Sequence, residues 1–389
     1  MTTSLPVQVN VLIDALGWKF LEKRPFLSDL LPYRRPLQTV LGFSSGAIPT
    51  ILTGLAPSAH QHWNLFYYDP DGSPFRWLRR FRFAPDSIVN HRVTRKALKE
   101  MGKHFLGLGK NFECCVRPSL LPYFNFVEKR NIYARGGVEG AQTIFDVVAE
   151  RRIPHRIYSY HETTDKEILR RARSDIENSD AIFYFIYLCE MDMALHNSCR
   201  DMAAFEHRLA WYESELREVF ELAQKRDPEA RLALFSDHGM TPVEQHIDLV
   251  KIIDALGFAM PADYLAVYDS TMARFWFMNG KAREKIAACL EKQPCGRILP
   301  DEELRRLGVL FEDRRYGEMV FLLHPGWLLA HSDFHGKGWM PSGMHGYHPE
   351  DPYSDAVFLS SFEPPADVQT IADIFGCMKA GIDEAPLAG

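Results

Sequence analysis

Six acidic or imidazole side chains follow short apolar segments of this sequence, at positions where a metal ion could be bound. They are Asp14, Asp192, His196, Asp237, His238 and His345. Carboxylate oxygens and neutral imidazole nitrogens are ligands that zinc and manganese both accept. Three separate segments supply an Asp and two of these also supply a His. The set therefore indicates metal-dependent chemistry, provided that the fold brings the segments together.

Most of these positions, taken alone, have an ordinary structural explanation. Asp14 could cap the helix that follows it. Asp192 and His196 are four residues apart, a spacing that fits an exposed helical pair but also lets both side chains share one metal. A loop histidine such as His345 is usually solvated.

Asp237 and His238 are adjacent in the segment SDHGM, where they could simply be turn residues. Neighbouring side chains at the end of a strand splay apart, so both reach one metal only if the backbone bends. Gly239 follows them and permits such a bend.

A serine nucleophile is available in the segment FSSGAIPT, where small residues precede a predicted helix. A serine hydroxyl at a helix N-terminus lies close to backbone N–H groups and a helix dipole that favour a phosphate. Both Ser44 and Ser45 meet this description, and an ordinary serine cap is the alternative.

The elements that must position these residues alternate between short apolar runs and helical patterns. Strands are predicted over residues 7–13, 156–160, 181–188, 231–235, 319–323 and 356–359. Helices are predicted from residue 50 onward and over residues 164–177, 201–225 and 281–292. This order predicts an α/β fold with a mostly parallel central sheet that is covered on both faces. Polar ligands of such sheets bind at the carboxyl ends of the strands.

Residues 62–135 interrupt this alternation with many aromatic side chains. Between residues 76 and 110 there are ten Lys or Arg residues against two acidic residues. We interpret residues 62–135 as a lid inserted into one catalytic domain that spans residues 1–389. A solvated basic helix face is the alternative interpretation of the charge. Residues 257–318 are predicted to be a second irregular region.

The composition excludes several classes of protein. Of the 389 residues, 46% are hydrophobic and 25% are charged, which is typical of a globular chain and not of a disordered or coiled-coil one. A net charge of −6 argues against a nucleic-acid polymer as the partner. The seven cysteines form no CxxC pair, and we see neither a signal peptide nor a transmembrane segment. We expect a cytoplasmic protein, whose oligomeric state the sequence does not indicate.

The ordered motifs resemble the alkaline phosphatase superfamily, and most closely its nucleotide pyrophosphatase/phosphodiesterase branch. That pattern has a metal-binding Asp after the first strand and a Thr or Ser nucleophile nine residues before Thr-Gly. It continues with Asp-x-x-x-His, Ser-Asp-His-Gly-Met and a late His-Gly-Tyr. The chain supplies these in order as Asp14, Ser44 before Thr53-Gly54, Asp192 with His196, residues 236–240 and residues 345–347. The resemblance runs from residue 9 to about residue 362 and implies an alkaline-phosphatase-like α/β/α sandwich.

The resemblance also implies two divalent metal ions, zinc or alternatively manganese. One ion would be held by Asp192, His196 and His345. The other would be held by Asp14, Asp237 and His238, with Ser44 bound to it as an alkoxide. In this two-metal logic one ion activates the serine and the other stabilises the leaving oxygen, so that a phosphoserine forms and is then hydrolysed by water.

Three positions depart from the family pattern. The nucleophile is Ser44, whereas phosphodiesterases of this branch more often carry Thr. The family asparagine that holds a phosphate oxygen aligns with Leu65, and we propose that Asn64, one residue away, takes its role. Gly46 and Ile48 stand where the sulfatase branch has Pro and Arg, which argues against a sulfatase.

The function predicted from these motifs is hydrolysis of a phosphodiester or pyrophosphate bond in a small anionic substrate, which the arginines and aromatic residues of the lid would help to select. Three alternatives remain open. The first is a phosphomonoesterase, and the second is a phosphoryl or phosphoethanolamine-type transferase that uses the same site. The third is a non-catalytic protein that binds metal or phosphate.

Several further residues near these motifs receive no firm role. His331, His335 and His348 could contact the substrate or its leaving group. Arg274 could face the substrate or form a structural ion pair. His60 matches a family position that looks structural.

Overall fold

The structure, a computed structural model, describes residues 5–81, 91–106, 116–127, 129–159, 163–333 and 339–383. Its strands are β1 (Gln8–Ile13), β2 (Tyr33–Leu37), β3 (Phe66–Tyr68), β4 (Phe124–Phe126), β5 (His155–Tyr158), β6 (Phe183–Leu188), β7 (Arg231–Phe235), β8 (Thr241–Pro242), β9 (Gln245–Ile247), β10 (Tyr264–Tyr268), β11 (Met272–Phe277), β12 (Gly296–Ile298), β13 (Met319–Leu323), β14 (Trp327–Leu329), β15 (Gly343–Met344) and β16 (Ala356–Ser360).

The central sheet contains six strands in the order β2-β16-β7-β1-β6-β5. The strands β5, β6, β1 and β7 are parallel, whereas β16 is antiparallel to both of its neighbours. All six residues of β1 and of β6 are buried, because helices cover both faces of the sheet. The predicted α/β fold with a mostly parallel central sheet is confirmed.

The helices are α1 (Trp18–Leu21), α2 (Ser44–Thr53), α3 (Pro57–His60), α4 (Arg92–Phe105), α5 (Ile144–Glu150), α6 (Asp165–Asn178), α7 (Glu190–Ser198), α8 (Met202–Arg226), α9 (Leu249–Asp254), α10 (Gly280–Leu290), α11 (Asp301–Arg306) and α12 (Asp373–Asp383). Helices α6 and α8 pack on one face of the central sheet, and α2, α5 and α12 pack on the other. Within the described ranges, no helix has both the length and the apolar character that crossing a membrane requires.

A second, antiparallel sheet corrects two of the predictions. Its strand order is β10-β11-β13-β12. Residues 257–318, predicted to be irregular, supply three of these strands together with α10 and α11. The predicted strand over residues 319–323 is β13, which belongs to this sheet and not to the central one. The sequence missed β10 and β11 because their residues are buried on both faces and therefore show no alternation.

The segment predicted to be a lid packs against this second sheet. Strands β3 and β4 pair with each other, and a short 3-10 helix, Arg76–Phe81, and α4 lie between them in sequence. Phe75, Leu98 and Phe124 share a buried cluster with Val267 and Trp276 of the second sheet. Residues 82–90, 107–115 and 128 of the predicted lid lie outside the described residues.

Candidate active site

Three neighbouring strands, β7, β1 and β6, bring the acidic and histidine residues to one edge of the central sheet. Asp14 directly follows β1, and Asp237 and His238 lie two and three residues beyond β7. Asp192 and His196 lie on α7, which begins two residues after β6. Because these strands are parallel, their carboxyl ends lie at the same edge of the sheet.

Asp192, His196 and His345 form the first of two clusters, in which the possible ligand atoms all lie within 4.8 Å of one another. Nε2 of His196 lies 3.2 Å from Oδ1 of Asp192, and Nε2 of His345 lies 3.7 Å from the same oxygen. On the other side of its ring, Nδ1 of His196 is 2.8 Å from the carbonyl oxygen of Gly343 and donates to it. The neutral ring therefore presents the lone pair of Nε2 to the cluster.

Asp14, Asp237 and His238 form the second cluster, which is fully buried. Nε2 of His238 lies 3.2 Å from Oδ2 of Asp237 and 3.6 Å from Oδ1 of Asp14. Nδ1 of His238 donates across 2.8 Å to the carbonyl oxygen of Gly239, so that here too Nε2 faces carboxylate oxygens. The rings of His238 and His345 stack with their centroids 3.8 Å apart, which places the two clusters side by side.

The two clusters fit two divalent metal ions. Four of their atoms are buried without a hydrogen-bond partner among the described residues: Asp14 Oδ1, Asp192 Oδ1, Asp237 Oδ2 and His345 Nδ1. A lone pair on an imidazole nitrogen repels a carboxylate oxygen that it faces, unless a proton or a metal ion lies between the two atoms. Each cluster offers oxygen and nitrogen ligands, a set that suits zinc or manganese.

The protonation of His238 reflects the same electrostatic field. Burial alone lowers the pKa of its imidazole, but the carboxylates of Asp237, Asp14 and Asp192 outweigh burial and raise the pKa to about 10. Burial and the charges of Asp237 and Asp192 also raise the pKa of Asp14. Both shifts favour proton binding, which shows that the clustered carboxylates attract positive charge at Nε2 of His238.

Ser44 is the serine that faces the clusters. It is the first residue of α2, and its hydroxyl lies 3.0 Å from Nε2 of His238. Ser45 points elsewhere, because its hydroxyl donates across 2.9 Å to the carbonyl oxygen of Trp63. The position of Ser44 at the start of a ten-residue helix adds the partial positive charge of the helix N-terminus.

Asn64 is buried next to this serine. An added Cβ at Gly42 would lie 3.4 Å from Asn64 Oδ1, and one at Gly46 would lie 2.9 Å from the carbonyl oxygen of Trp63. The Trp63–Asn64 segment therefore packs against the chain on both sides of Ser44. The amide nitrogen of Asn64 donates to the Met272 sulfur at 3.5 Å, and within the described chain Oδ1 has no hydrogen-bond partner. The amide nitrogen carries two N–H groups, so one remains that can donate to an oxygen atom of a substrate.

Gly239 has a different role from the one predicted. A Cβ at this position would lie 2.1 Å from the carbonyl oxygen of Tyr353 and 3.1 Å from Cα of Gly17. The chain after Asp237 and His238 crosses another backbone so closely that no side chain fits. Close packing therefore explains this glycine, and the bend needs no unusual φ angle.

Tyr187, on β6, is a site residue that the sequence did not reveal. Its hydroxyl donates to Oδ2 of Asp14, and it lies opposite Leu12 in the parallel pair of β6 with β1. The signal was one of the two tyrosine hydroxyls in the buried run FYFIYL, each of which requires a buried partner. Tyr187 thus orients a carboxylate whose other oxygen, Oδ1, faces His238.

Two further histidines considered from the sequence, His331 and His348, make structural contacts. His331 is 3.2 Å from Asp248, and His348 is 3.0 Å from Glu303. His335 lies outside the described residues.

Arg274 and His60 also make structural contacts. Arg274 is fully buried and forms an ion pair with Asp269 at 2.7 Å. His60 is buried as well, with Nε2 3.0 Å from the hydroxyl of Thr50, which donates to the carbonyl oxygen of Gly46 on α2.

Comparison with solved structures places the fold among the nucleotide pyrophosphatases. The human ectonucleotide pyrophosphatase/phosphodiesterase 5 superposes with a TM-score of 0.70 at 13% sequence identity, covering 98% of this chain and 96% of the other. The murine protein of the same name gives a TM-score of 0.68 at 15% identity, with coverages of 98% and 96%. An inactive form of that murine protein in complex with AMP gives a TM-score of 0.68 at 15% identity, with coverages of 99% and 96%. These identities establish the fold alone.

Sequence comparison establishes the family. A search of curated proteins found no significant match to this chain. The family model described as type I phosphodiesterase/nucleotide pyrophosphatase, however, matches residues 9–348, nearly the whole chain. The resemblance stated from the motifs is confirmed, and with it an alkaline-phosphatase-like fold and a phosphoric ester hydrolase. This chain belongs to the type I phosphodiesterase/nucleotide pyrophosphatase family.

Proposed function

We propose that the protein cleaves a phosphodiester or pyrophosphate bond through a covalent ester on Ser44, at a site that holds two divalent metal ions. The observation that carries the proposal is the position of the Ser44 hydroxyl. It lies at a helix N-terminus and 3.0 Å from Nε2 of His238, beside two clusters of buried ligand atoms. A serine in a purely metal-binding protein would have no reason to occupy that point.

The proposed metal ligands divide as the two clusters do. Asp192, His196 and His345 would hold one ion; Asp14, Asp237, His238 and Ser44 would surround the other. When bound, the ions would neutralise phosphate charge and lower the pKa of a coordinated hydroxyl. We infer zinc as the metal, with manganese as the second candidate.

The side chains of this chain then perform the transfer. Ser44 loses its hydroxyl proton to solvent and attacks phosphorus, while the bond to the leaving oxygen breaks on the opposite side and that oxygen takes up a proton. The remaining phosphoryl ester is then carried by the serine. The amide of Asn64 donates to a non-bridging oxygen of the phosphoryl group. Water attacks the same phosphorus in the second step, which restores the Ser44 hydroxyl and releases the product.

Small nucleotide-like phosphoesters are the substrate class that we propose. The structural relative with bound AMP supports this class, since its fold superposes over 99% of this chain. No nucleic-acid polymer is part of the proposal. The decisive experiment compares p-nitrophenyl thymidine-5′-phosphate with p-nitrophenyl phosphate on metal-replete protein, using Ser44→Ala as the blank. A diester preference of at least tenfold in kcat/KM supports the proposal; a monoester preference would instead make the protein a phosphomonoesterase.

The basic segment within residues 62–135 is proposed to act as a lid that selects anionic substrates. Arg79 and Arg80 are both exposed, but Arg79 donates to the carbonyl oxygen of Pro122, which is a structural contact. We therefore expect Arg80→Gln to raise KM for the diester with little change in kcat. Lys285→Gln, an exposed charge on α10, serves as the control. Equal KM values in the two variants would refute the lid role.

A cytoplasmic location is also a proposal, and it rests on cysteine usage. Cys189, Cys199, Cys289, Cys295 and Cys377 are free thiols in the described part of the chain. Fractionation of cells that express the full chain tests it, and recovery outside the cytoplasm would contradict it.

A further inference from the structure

The short helix α7 carries two of the proposed metal ligands but does not cap its own N-terminus. Its N-cap residue, Cys189, makes no side-chain capping hydrogen bond. The backbone N–H groups of Cys189 and Glu190 donate instead to the two carboxylate oxygens of Asp165, each across 3.0 Å. Asp165 is 24 residues from Cys189 and 25 residues from Glu190 in sequence. The N-terminus of α7 is therefore capped by a residue that is distant in sequence.

The connection between the two segments is reciprocal. The backbone N–H of Asp165, at the start of α6, donates across 3.2 Å to Oε1 of Glu190. The hydroxyl of Tyr212, on α8, donates to Oδ2 of Asp165. Asp165 is fully buried, so water cannot replace any of these partners. Three helices are joined at one carboxylate.

The opposite end of α7 is fixed by the loop that carries His345. The backbone N–H of Ser342 donates across 2.7 Å to the carbonyl oxygen of His196, and Nδ1 of His196 is bound to Gly343. The last turn of α7 is therefore tied to the third ligand of the cluster. The first turn, which contains Asp192, depends on Asp165.

We propose that Asp165 is a positioning residue for the cluster of Asp192, His196 and His345; the proposal rests on the metal site of the proposed function. A carboxylate accepts both N–H groups at a helix N-terminus, where its charge also interacts favourably with the helix dipole. An amide presents only one acceptor oxygen, so its NH₂ group would face the other N–H and leave it without a partner. The first turn of α7 then loosens, and Asp192 moves away from His196 and His345.

The matched control is Asp146, a second buried carboxylate that caps a helix. It accepts hydrogen bonds from the backbone N–H groups of Gly136 and Thr143 and from the Thr143 hydroxyl at the start of α5. Helix α5 carries none of the proposed ligands. Asp146→Asn therefore removes a comparable cap without touching the metal site.

The test is metal binding by the full chain after removal of metal with a chelator. We expect the wild type to bind two equivalents of Zn²⁺ or Co²⁺ in calorimetric titration. Asp165→Asn should bind one equivalent as the wild type does and the other about ten- to a hundredfold more weakly. Asp146→Asn should bind both as the wild type does. Tyr212→Phe, a milder change that removes one hydrogen bond, should weaken the same equivalent by a smaller factor.

Two backgrounds identify which cluster is affected. In Asp237→Asn protein only the cluster of Asp192 remains intact, and adding Asp165→Asn should weaken binding there. In His345→Ala protein only the cluster of Asp14 remains intact, and adding Asp165→Asn should change nothing.

Three results would overturn the inference in distinguishable ways. A wild type that binds no metal refutes the proposed function and this inference with it. A wild type that binds two equivalents, together with unchanged binding by Asp165→Asn and Tyr212→Phe, refutes only the positioning role. The same loss in Asp146→Asn as in Asp165→Asn would show a general effect of stability.

Discussion

The hydroxyl of Tyr187 donates a hydrogen bond to Asp14, the carboxylate that ends the first strand of the central sheet. The two residues come from adjacent parallel strands, and both are buried. One oxygen of Asp14 is thereby engaged, and the other is left facing Nε2 of His238 at 3.6 Å. The phenol fixes the direction in which the carboxylate presents its remaining lone pairs.

Removing this phenol should selectively weaken metal binding at the cluster of Asp14, Asp237 and His238. Tyr187→Phe leaves the ring in place, so we expect metal affinity at that cluster to fall about ten- to a hundredfold with little loss of stability. Titration of the metal-free protein with Zn²⁺ measures it. Tyr184→Phe is the control, because Tyr184 lies on the same strand but bonds to Asp175 and Arg226. Equal affinities in the two variants would contradict the orienting role.

Gly239→Ala should disable the site by displacing Asp237 and His238. The added Cβ would lie 2.1 Å from the carbonyl oxygen of Tyr353, so the backbone must shift. We expect a loss of kcat/KM of at least about a hundredfold, since small misplacements of catalytic groups have effects of this size. Gly376→Ala, in α12 with nothing within 4 Å, should keep full activity and gain about 0.5–1 kcal/mol of stability. Normal turnover by Gly239→Ala would refute the packing argument.

The buried ion pair of Asp269 and Arg274 should be essential to stability. Arg274 is fully buried and bonds to Asp269 at 2.7 Å and to the carbonyl oxygen of Phe66 at 2.9 Å. Asp269→Asn leaves a buried charge without its counterion, which should lower the free energy of unfolding by about 3–5 kcal/mol. Asp301→Asn removes the partner of Arg314 in an exposed pair and should lower it by less than about 1 kcal/mol. Urea denaturation measures the free energy of unfolding of both variants, and equal losses in the two would contradict the structural role of the buried pair.

Acid should destabilise the protein partly through His60. Burial lowers the pKa of His60 to about 3, below its unfolded value of 6.5, so the unfolded chain binds the proton more readily. The contribution of His60 is present above pH 6.5 and is lost as the pH falls toward 3. We expect this titration of His60 to lower the free energy of unfolding by about 2 kcal/mol between pH 7.5 and pH 5.

The variant His60→Gln isolates the contribution of His60 to the pH dependence of stability from that of the other titratable groups. Its side chain does not titrate, so the unfolding free energy should fall less steeply with pH than in the wild type. Both proteins are measured by urea denaturation with a chelator present, so that metal release makes no contribution. Identical pH slopes would show that the pKa of His60 is the same in the folded and the unfolded chain, and would contradict this account.

The parallel part of the sheet was predictable because its strands are continuous apolar runs between clear helical patterns. The predicted strand over residues 231–235 coincides with β7, and the helix over 201–225 differs from α8 by one residue at each end. By contrast, β2 was missed, because Tyr33–Leu37 is a polar, exposed edge strand that contains a proline. Its antiparallel pairing with β16 depends on a partner more than 300 residues away.

The acidic and histidine residues of the two clusters could be singled out from the sequence, whereas the residues that surround them could not. Asp14 and Asp237 could be located because the sequence itself shows an apolar strand that is followed by an acidic residue. Tyr187 and Asp165 could not, because their importance arises from hydrogen bonds to residues distant in sequence. The spacing of nine residues before Thr53-Gly54 already favoured Ser44 over Ser45, and in the structure the Ser44 hydroxyl is the one that faces His238.

The most direct test of the central claim is the kcat/KM of the metal-replete protein on a p-nitrophenyl diester, measured for Ser44→Ala and Ser45→Ala. The account predicts that Ser44→Ala loses at least about 10³-fold while it still binds two equivalents of metal. Ser45→Ala should remain within about threefold of the wild type, because its hydroxyl bonds to the carbonyl oxygen of Trp63 and takes no part in the reaction. Substantial activity in Ser44→Ala, or a loss in Ser45→Ala of the same size, would contradict it.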